Sequence, residues 1–267
     1  MDYIEIGNVR LSRFIIGSNP FSGFSHQGVK MDEQMKRYYS CEKIKETLAD
    51  AEKLGIDTLI ARTDSLILRV VKEYREEGGK IAWFGQTCPE IGSTEICVQR
   101  ASKGGAKACH IHGGVMDHLL VHNRLDEAKD GVKIIREEGM LAGIAGHHPE
   151  VFKWAEENVD VDYYMCSYYN PIPREYTAEH VSELEEYYGD EDREVMVEVI
   201  EGLSKPVIHY KILAAGRNKP ADAFGYAAKH MRENDAVCVG FYTEEFPGML
   251  EEDVKLFEKI IQDRSIS

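Results

Sequence analysis

The stretch KACHIHGGVMDHLLVHNRLDEAKDGVKIIREEGMLAGIAG, residues 107–146, contains a strand, a helix and a second strand in succession. Apolar residues dominate residues 107–112 and 141–146, as is typical of buried strands. Between them, residues 124–138 have the spacing of a helix, and Gly139 marks its end. Because parallel strands need a crossover connection, this unit predicts a parallel sheet covered by helices.

The same alternation extends in both directions along the chain. Strands are predicted at residues 13–17, 57–62, 80–86, 107–112, 141–146, 161–168, 206–212 and 236–241. Helices are predicted at residues 41–54, 65–77, 92–103 and 124–138, from 149 onward, and at 191–203, 220–233 and 247–263. Eight such units predict an α/β fold, a TIM (β/α)8 barrel made of one domain over residues 1–267.

Other features agree with a barrel. A hairpin turning at Gly7–Asn8 precedes the first barrel strand, and long loops are predicted at residues 18–40 and 170–189. No GxGxxG pattern follows an early strand, which argues against a Rossmann domain.

The composition narrows the class of protein. A net charge of −15 argues against nucleic acid as a partner, because phosphates attract basic surfaces. No apolar run approaches the roughly 20 residues that cross a bilayer, and the first residues lack a signal-peptide pattern. The six cysteines form no CxxC pair, so we expect free thiols in a reducing compartment. We expect a cytoplasmic protein with a small-molecule substrate and no membrane partner. The sequence does not decide whether it forms a homo-oligomer.

Histidines recur where barrel strands end, which is where such folds carry their active sites. His110 and His112 lie two apart in one strand, so both are expected to face the barrel interior. His147 and His148 follow the fifth strand, and His209 lies in the seventh. One hypothesis is a divalent metal, zinc, manganese or iron, bound by His110, His112 and His209. The alternative is that these imidazoles contact substrate or donate hydrogen bonds without a metal.

Four residues are predicted to be catalytic. His112 and His147 would polarise a carbonyl or transfer protons, and Asp64 would supply a carboxylate to the metal. Lys211, two residues after His209, is expected on the same face, where it would form a Schiff base or stabilise an enolate. An ion-paired Lys211 beside Asp64 or Glu244 is the alternative.

The remaining predicted site residues would bind the substrate. They also follow strands: Asn19, Arg62, Gln86, Tyr169 and Asn170. Arg217 lies after the seventh strand, where many barrels bind phosphate. In contrast, His26, His118, His122 and His180 are expected to be exposed and without a role.

Four segments resemble the aldo/keto reductase superfamily. They are LSRFIIGSNPF (11–21), LGIDTLIARTDS (54–65), GHHPEVFKWAEENVDVDYYMCSYYNP (146–171) and DAVCVGFYTEEFPGMLEED (235–253). The resemblance implies a barrel with NADPH as cofactor, and His112 matches the histidine of the family's fourth strand. The family's aspartate, tyrosine and lysine positions fall at Ala61 or Arg62, near Ile67 and near Gln86, so its proton donor is not matched.

Three functions follow from these observations. The first is an enzyme acting on a small polar substrate, a sugar or keto acid, at a histidine-lined site where a divalent metal assists lyase, isomerase or hydrolase chemistry. The alternative is a divergent NAD(P)H-dependent oxidoreductase of the aldo/keto reductase type. The second alternative is a barrel that binds a ligand without catalysis.

Overall fold

The computed structural model describes residues 1–181 and 184–266, and its centre is a closed barrel of eight parallel strands. In chain order they are β3 (Phe14–Gly17), β4 (Thr58–Arg62), β5 (Ala82–Gln86), β6 (Ala108–Ile111), β7 (Leu141–Gly146), β8 (Tyr163–Ser167), β9 (Val207–Tyr210) and β10 (Ala236–Gly240). Each strand pairs with its neighbours in the sequence, and β10 closes the ring against β3. The predicted TIM barrel is therefore confirmed.

An antiparallel hairpin precedes the barrel, also as predicted. It consists of β1 (Tyr3–Ile6) and β2 (Val9–Ser12), and Gly7 makes its turn with φ of +56°, a conformation that glycine adopts without strain. The buried hairpin side chains Ile4, Ile6 and Leu11 belong to the same apolar cluster as interior residues of the barrel strands. The hairpin thus fills the end of the barrel opposite the functional loops.

Ten helices in the described residues surround the ring. They are α1 (Val29–Tyr38), α2 (Cys41–Lys53), α3 (Ser65–Glu76), α4 (Thr94–Lys103), α5 (Gly113–Val121), α6 (Ala128–Glu137), α7 (Pro149–Asn158), α8 (Asp190–Gly202), α9 (Pro220–His230) and α10 (Met249–Ile266). Typical is α2, where the Ser40 hydroxyl accepts the Lys43 N–H and the apolar stripe of Ile44, Leu48 and Ala51 is buried. None of the described helices is long and apolar enough to cross a bilayer.

Two helices occupy segments where none was predicted. Helix α1 lies inside the stretch 18–40, which the sequence predicts as a loop. Helix α5 follows β6 directly, and the predicted helix at 124–138 is shorter, Ala128–Glu137. Helix α5 begins with two glycines, which are poor helix formers, but the His112 side chain caps it by accepting the Gly114 N–H.

Candidate active site

A pocket opens at the carboxyl ends of the barrel strands. It encloses about 530 Å³, including solvent at its mouth. Residues from the strand ends and from two long loops form its walls: Asn19, Phe24, His26, Arg62, Gln86, Glu90, His112, Gly113, His147, Arg174, His180, Tyr210 and Lys211. The carboxyl end of the ring is where barrel enzymes place their chemistry.

A chain of three side chains reaches the pocket from below. The Asp117 carboxylate, buried on α5, accepts the Nδ1–H of His147 at 2.6 Å. Nε2 of His147 then lies 3.1 Å from the Tyr210 hydroxyl, which can donate to it. Asp117 also accepts the backbone N–H groups of His147 and His148, so its position is fixed by three hydrogen bonds.

Burial determines the protonation states of His147 and Tyr210. Desolvation lowers the pKa of His147 below its ordinary value, although Asp117 favours the charged form. Burial raises the pKa of Tyr210 well above its usual range. At rest, His147 is therefore a neutral imidazole and Tyr210 is a protonated phenol whose hydroxyl faces the pocket.

His112 presents a second donor. Its Nδ1 accepts the Gly114 N–H at 3.0 Å, and burial lowers the pKa of the ring well below its ordinary value. A neutral imidazole that accepts at Nδ1 carries its proton on Nε2. This Nε2–H can donate to an oxygen atom bound in the pocket.

The amine of Lys211 lies on the wall next to Tyr210. Its Nζ is 2.7 Å from Nε2 of His26, and the opposite nitrogen of His26 is 2.7 Å from a carboxylate oxygen of Glu186. Burial lowers the pKa of Lys211 to about 7.

Two guanidinium groups add positive charge. Arg62 donates to Asp64 at 2.9 Å and to Glu90, and it lies over the ring of Phe24. Arg174 is buried and donates to the Glu179 carbonyl at 2.6 Å. Among the described residues, no carboxylate forms an ion pair with Arg174. The pocket therefore suits a ligand that carries a negative charge.

The structure brings six of the predicted site residues together around the pocket: Asn19, Arg62, Gln86, His112, His147 and Lys211. Asp64 lies behind Arg62, where it caps α3 by accepting the Ile67 N–H at 2.9 Å. It therefore orients Arg62 and does not line the pocket.

Three predicted binding residues also lie outside the pocket lining. The Tyr169 hydroxyl accepts from the Asn218 amide at 2.7 Å, and the backbone N–H of Asn170 donates to Asp192. Arg217 donates to the carbonyls of Ala214 and His26. Local contacts hold each of these residues in the loops behind the pocket wall.

The predicted metal set of His110, His112 and His209 is not assembled. His110 lies beneath the pocket, between the Tyr163 hydroxyl at 3.0 Å and the Gln86 amide at 3.4 Å. His209 lies on the helix side of β9, within hydrogen-bond distance of Tyr168 and Asp235.

His209 and Lys211 were predicted to share a face, and this was wrong. Strand alternation gives the pocket side to Tyr210 and the outer side to His209. The alternation then stops, because Lys211 has φ of +56° and turns back into the pocket. A positive φ is uncommon outside glycine, so the sequence carries no clear sign of this turn.

Sequence reasoning missed several pocket residues. His26 and His180 were expected to be exposed, but both line the pocket. Tyr210 and Arg174 were not considered, and Asp117 was hidden in the unpredicted helix α5. Among these residues, only Tyr210 carried a usable signal, since it directly precedes Lys211 at a strand end.

Comparisons with known proteins find likeness in structure only. No protein-family model and no curated protein sequence matches the chain. A proposed aldo-keto reductase from Pseudomonas aeruginosa superposes with a TM-score of 0.65 and 16% identity, over 98% of this chain and 95% of that one. The holo form of aldo-keto reductase AKR11C1 from Bacillus halodurans superposes with a TM-score of 0.60 and 13% identity, over 98% of this chain and 96% of that one. An N-acetylmannosamine-6-phosphate 2-epimerase from Clostridium perfringens superposes with a TM-score of 0.52 and 14% identity, over 90% of this chain and 92% of that one.

These similarities confirm the resemblance to aldo/keto reductases at the level of the fold. The three proteins are described as enzymes, and they share the barrel with this chain. At such low identity the fold alone is shown, because one barrel supports many reactions.

Proposed function

We propose that the protein reduces the carbonyl group of a small anionic molecule, a keto acid or an acidic sugar, with a nicotinamide cofactor as the hydride source. The Asp117–His147–Tyr210 chain is the observation that carries this proposal. The likeness in fold to aldo/keto reductases supports the choice of reaction.

Reduction of a carbonyl requires a proton donor. As the carbonyl carbon gains a hydride, the oxygen becomes an alkoxide, which is basic enough to take a proton from a phenol. At rest, the Tyr210 O–H lies within reach of His147 Nε2 and the Gly146 carbonyl, and it would turn to the bound oxygen to donate its proton. The transfer leaves a phenolate, whose charge Arg174 would offset. The Nε2–H of His112 would polarise the carbonyl oxygen. Tyr210 would thus replace the proton donor of the aldo/keto reductases, whose tyrosine position falls near Ile67 in this chain.

The charge of the pocket selects the substrate class. Arg174 forms no ion pair with a carboxylate among the described residues, whereas Arg62 is paired with Asp64 and Glu90. A carboxylate or phosphate group on the substrate would complete the coordination of Arg174. A neutral aldehyde would offer Arg174 no direct partner, and only Asp117 and Glu186, which form no ion pair with it among the described residues, would offset its charge.

The cofactor needs a binding site for its phosphates. Arg217 and Lys219 are exposed after β9, and Lys219 directly precedes the first turn of α9. Guanidinium and ammonium groups at a helix N-terminus match the chemistry of a pyrophosphate. These residues would hold the cofactor, which supplies the hydride when bound.

The test is a titration with NADPH and with NADH, followed through the fluorescence of the nicotinamide itself. Both tryptophans lie outside the pocket lining, so their emission is a poor reporter. We expect saturable binding that Arg217→Ala weakens about tenfold, which corresponds to one charge-assisted hydrogen bond. Lys229→Ala, at the far end of the same helix, removes one positive charge and is the matched control.

Turnover is then measured as consumption of NADPH with a panel of keto acids, sugar acids and matching neutral aldehydes. Consumption with the anionic members supports the proposal. A flat fluorescence titration with both cofactors would overturn it. Binding of a cofactor or substrate without turnover would instead support the non-catalytic barrel.

Lys211 supports a second candidate function, a Schiff-base lyase or isomerase. Its amine lies in the pocket beside Tyr210 and contacts an imidazole rather than a carboxylate. Condensation of this amine with a substrate carbonyl would release water and form an imine. Borohydride added with a keto acid would reduce the imine to a stable secondary amine, and peptide mass spectrometry would locate it. No adduct on Lys211 would exclude this candidate for the acids tested.

A further inference from the structure

Two loops bring together three side chains of types that can bind a metal, and two of them line the pocket. His26 comes from the loop after β3, and His180 and Glu186 come from the loop after β8. Their nearest ligand atoms all lie within 4.8 Å of one another. Nδ1 of His26 is 2.7 Å from Glu186 Oε1, and Nδ1 of His180 is 3.8 Å from the same oxygen. Among the described residues, no other group of three such side chains is this compact.

His180 has no hydrogen-bond partner to explain its position. Its side chain is 10% exposed, and both ring nitrogens are buried without a partner among the described residues. Leaving a buried polar group unpaired is unfavourable, and native proteins rarely tolerate it. A ring held in this way, with Nδ1 directed towards a carboxylate, indicates a ligand that the three residues share.

The spacing of the three groups fits a transition metal. Bonds of about 2.1 Å in a tetrahedral site place ligand atoms about 3.4 Å apart. The two distances to Glu186, 2.7 and 3.8 Å, lie on either side of this value, so small side-chain rotations would suffice. Two imidazoles and one carboxylate suit zinc and related ions, whereas magnesium and calcium prefer oxygen ligands alone.

We infer that His26, His180 and Glu186 bind a zinc-like divalent metal ion at the wall of the pocket. Three protein ligands leave a fourth position open. Both histidines line the pocket, so this position would face a bound molecule and could take one of its oxygen atoms. Metal at Nδ1 places the His26 proton on Nε2, so Lys211, whose Nζ lies 2.7 Å from that nitrogen, would accept the hydrogen bond as a neutral amine. The site differs from the histidine set predicted from sequence, and it does not rest on the proposed reductase activity.

The experiment uses the full chain without a histidine tag. After dialysis against zinc and removal of free ion, elemental mass spectrometry should find one equivalent of metal per chain. Titration of the metal-free protein with Co²⁺ should produce visible absorption bands of a low-symmetry site. Neither readout requires NADPH or substrate, so failure here is distinct from failure of the reductase proposal.

His180→Ala is the decisive variant, because it removes a ring that forms no hydrogen bond in the described structure. We expect it to weaken Co²⁺ binding by at least about 100-fold, and Glu186→Gln should also abolish the absorption bands. His122→Ala, which removes an exposed histidine at the end of α5, should bind like the wild type. Circular dichroism confirms that each variant is folded. Absence of stoichiometric metal in the wild type, or unchanged binding in both His180→Ala and Glu186→Gln, would overturn the inference.

Discussion

The hydroxyl of Tyr210 is the single atom on which the proposed chemistry depends most. Tyr210→Phe keeps the ring and removes the proton donor, so we expect kcat to fall by about 10²–10⁴-fold. The thermal midpoint should change little, because the loss amounts to one or two buried hydrogen bonds. Steady-state kinetics on the best substrate, with a melting curve for each protein, measures both effects.

Tyr226→Phe is the control for this substitution. Tyr226 packs against the rings of Tyr168 and His230 and does not line the pocket. Its loss of a hydroxyl should leave kcat unchanged. Equal kcat in Tyr210→Phe and the wild type would remove Tyr210 from the reaction.

Asp253 on α10 sets a pH dependence of stability. Burial raises the pKa of this carboxyl to about 6 in the folded state, above the ordinary value of 3.8. The folded protein therefore binds more protons than the unfolded chain between these values, and stability falls as the pH rises through that window. Asp253→Asn should be more stable than the wild type by about 1 kcal/mol at pH 7.5, with no difference near pH 3.5.

Urea unfolding at a series of pH values measures this difference. Glu245→Gln, which alters an exposed carboxylate, is the control and should follow the wild type throughout. A variant whose stability stays parallel to that of the wild type at every pH would contradict the role of Asp253.

Single residues also show how far the site could be predicted. His112, His147 and Lys211 were found because the ends of strands can be located from apolar runs and glycines. The face of Lys211 was not predicted, because its positive φ ends the strand alternation. His209 was assigned to the wrong face of β9, because the spacing of residues does not show which face points inward. His26 and His180 reach the pocket only through the folding of long loops, which no local pattern encodes.

Among the elements, the first turn of α5 depends on glycine. A Cβ at Gly113 would lie 2.9 Å from Cε1 of His147 and 2.9 Å from the Tyr210 hydroxyl. Gly113→Ala should therefore push the two partners apart and lower activity at least tenfold while the barrel remains folded. Kinetics and a melting curve test this. Gly225→Ala, inside α9 with no atom within 4 Å of the added carbon, should keep full activity. A fully active Gly113→Ala would show that the close contact can relax.

The hairpin is the element that closes the far end of the barrel. Leu11 is fully buried there, so Leu11→Ala should lower the free energy of unfolding by about 3 kcal/mol. Glu5→Ala, on the exposed side of β1, should change it by less than about 0.5 kcal/mol. Denaturant titration gives both values, and a mild effect of Leu11→Ala would indicate that the hairpin packs loosely.

Most elements could be predicted because each barrel strand is a short apolar run followed by an amphipathic helix. Strand β7 lies at the predicted residues, 141–146. Helices α1 and α5 were missed for different reasons. Helix α1 lies in a polar, glycine-containing stretch, and α5 combines a Gly–Gly start with apolar residues on most sides. Tertiary contacts, rather than local propensity, favour both.

At the scale of the molecule, the six thiols provide a test of how tightly the barrel is packed. Five are buried, and Cys41 is half-buried. Burial raises the pKa of Cys88 to about 11 and that of Cys238 to about 12, which suppresses the reactive thiolate. An aromatic disulfide reagent should titrate at most one thiol in the native protein and six in denaturant. Rapid reaction of several native thiols would contradict this packing.

The net charge of the whole molecule does not show which charges lie at the pocket. The chain carries a net charge of −15, while Arg62, Arg174 and Lys211 lie together in the pocket. The local cations, rather than the overall field, would therefore decide the affinity for an anionic substrate. Composition could not reveal this, because it does not record which charges the fold places together.

The two sets of pocket residues differ in how readily evolution can substitute them. Tyr210 and His147 follow from the strand ends of β9 and β7, and Asp117 follows from α5, so all three depend on the rigid ring. His26, His180 and Glu186 belong to loops, which tolerate insertion and substitution far better than strands do. Descendants of this chain could therefore exchange the molecules that they recognise while keeping the same proton-transfer groups. New substrate specificities would arise by substitutions in two loops, while the barrel beneath them stays unchanged.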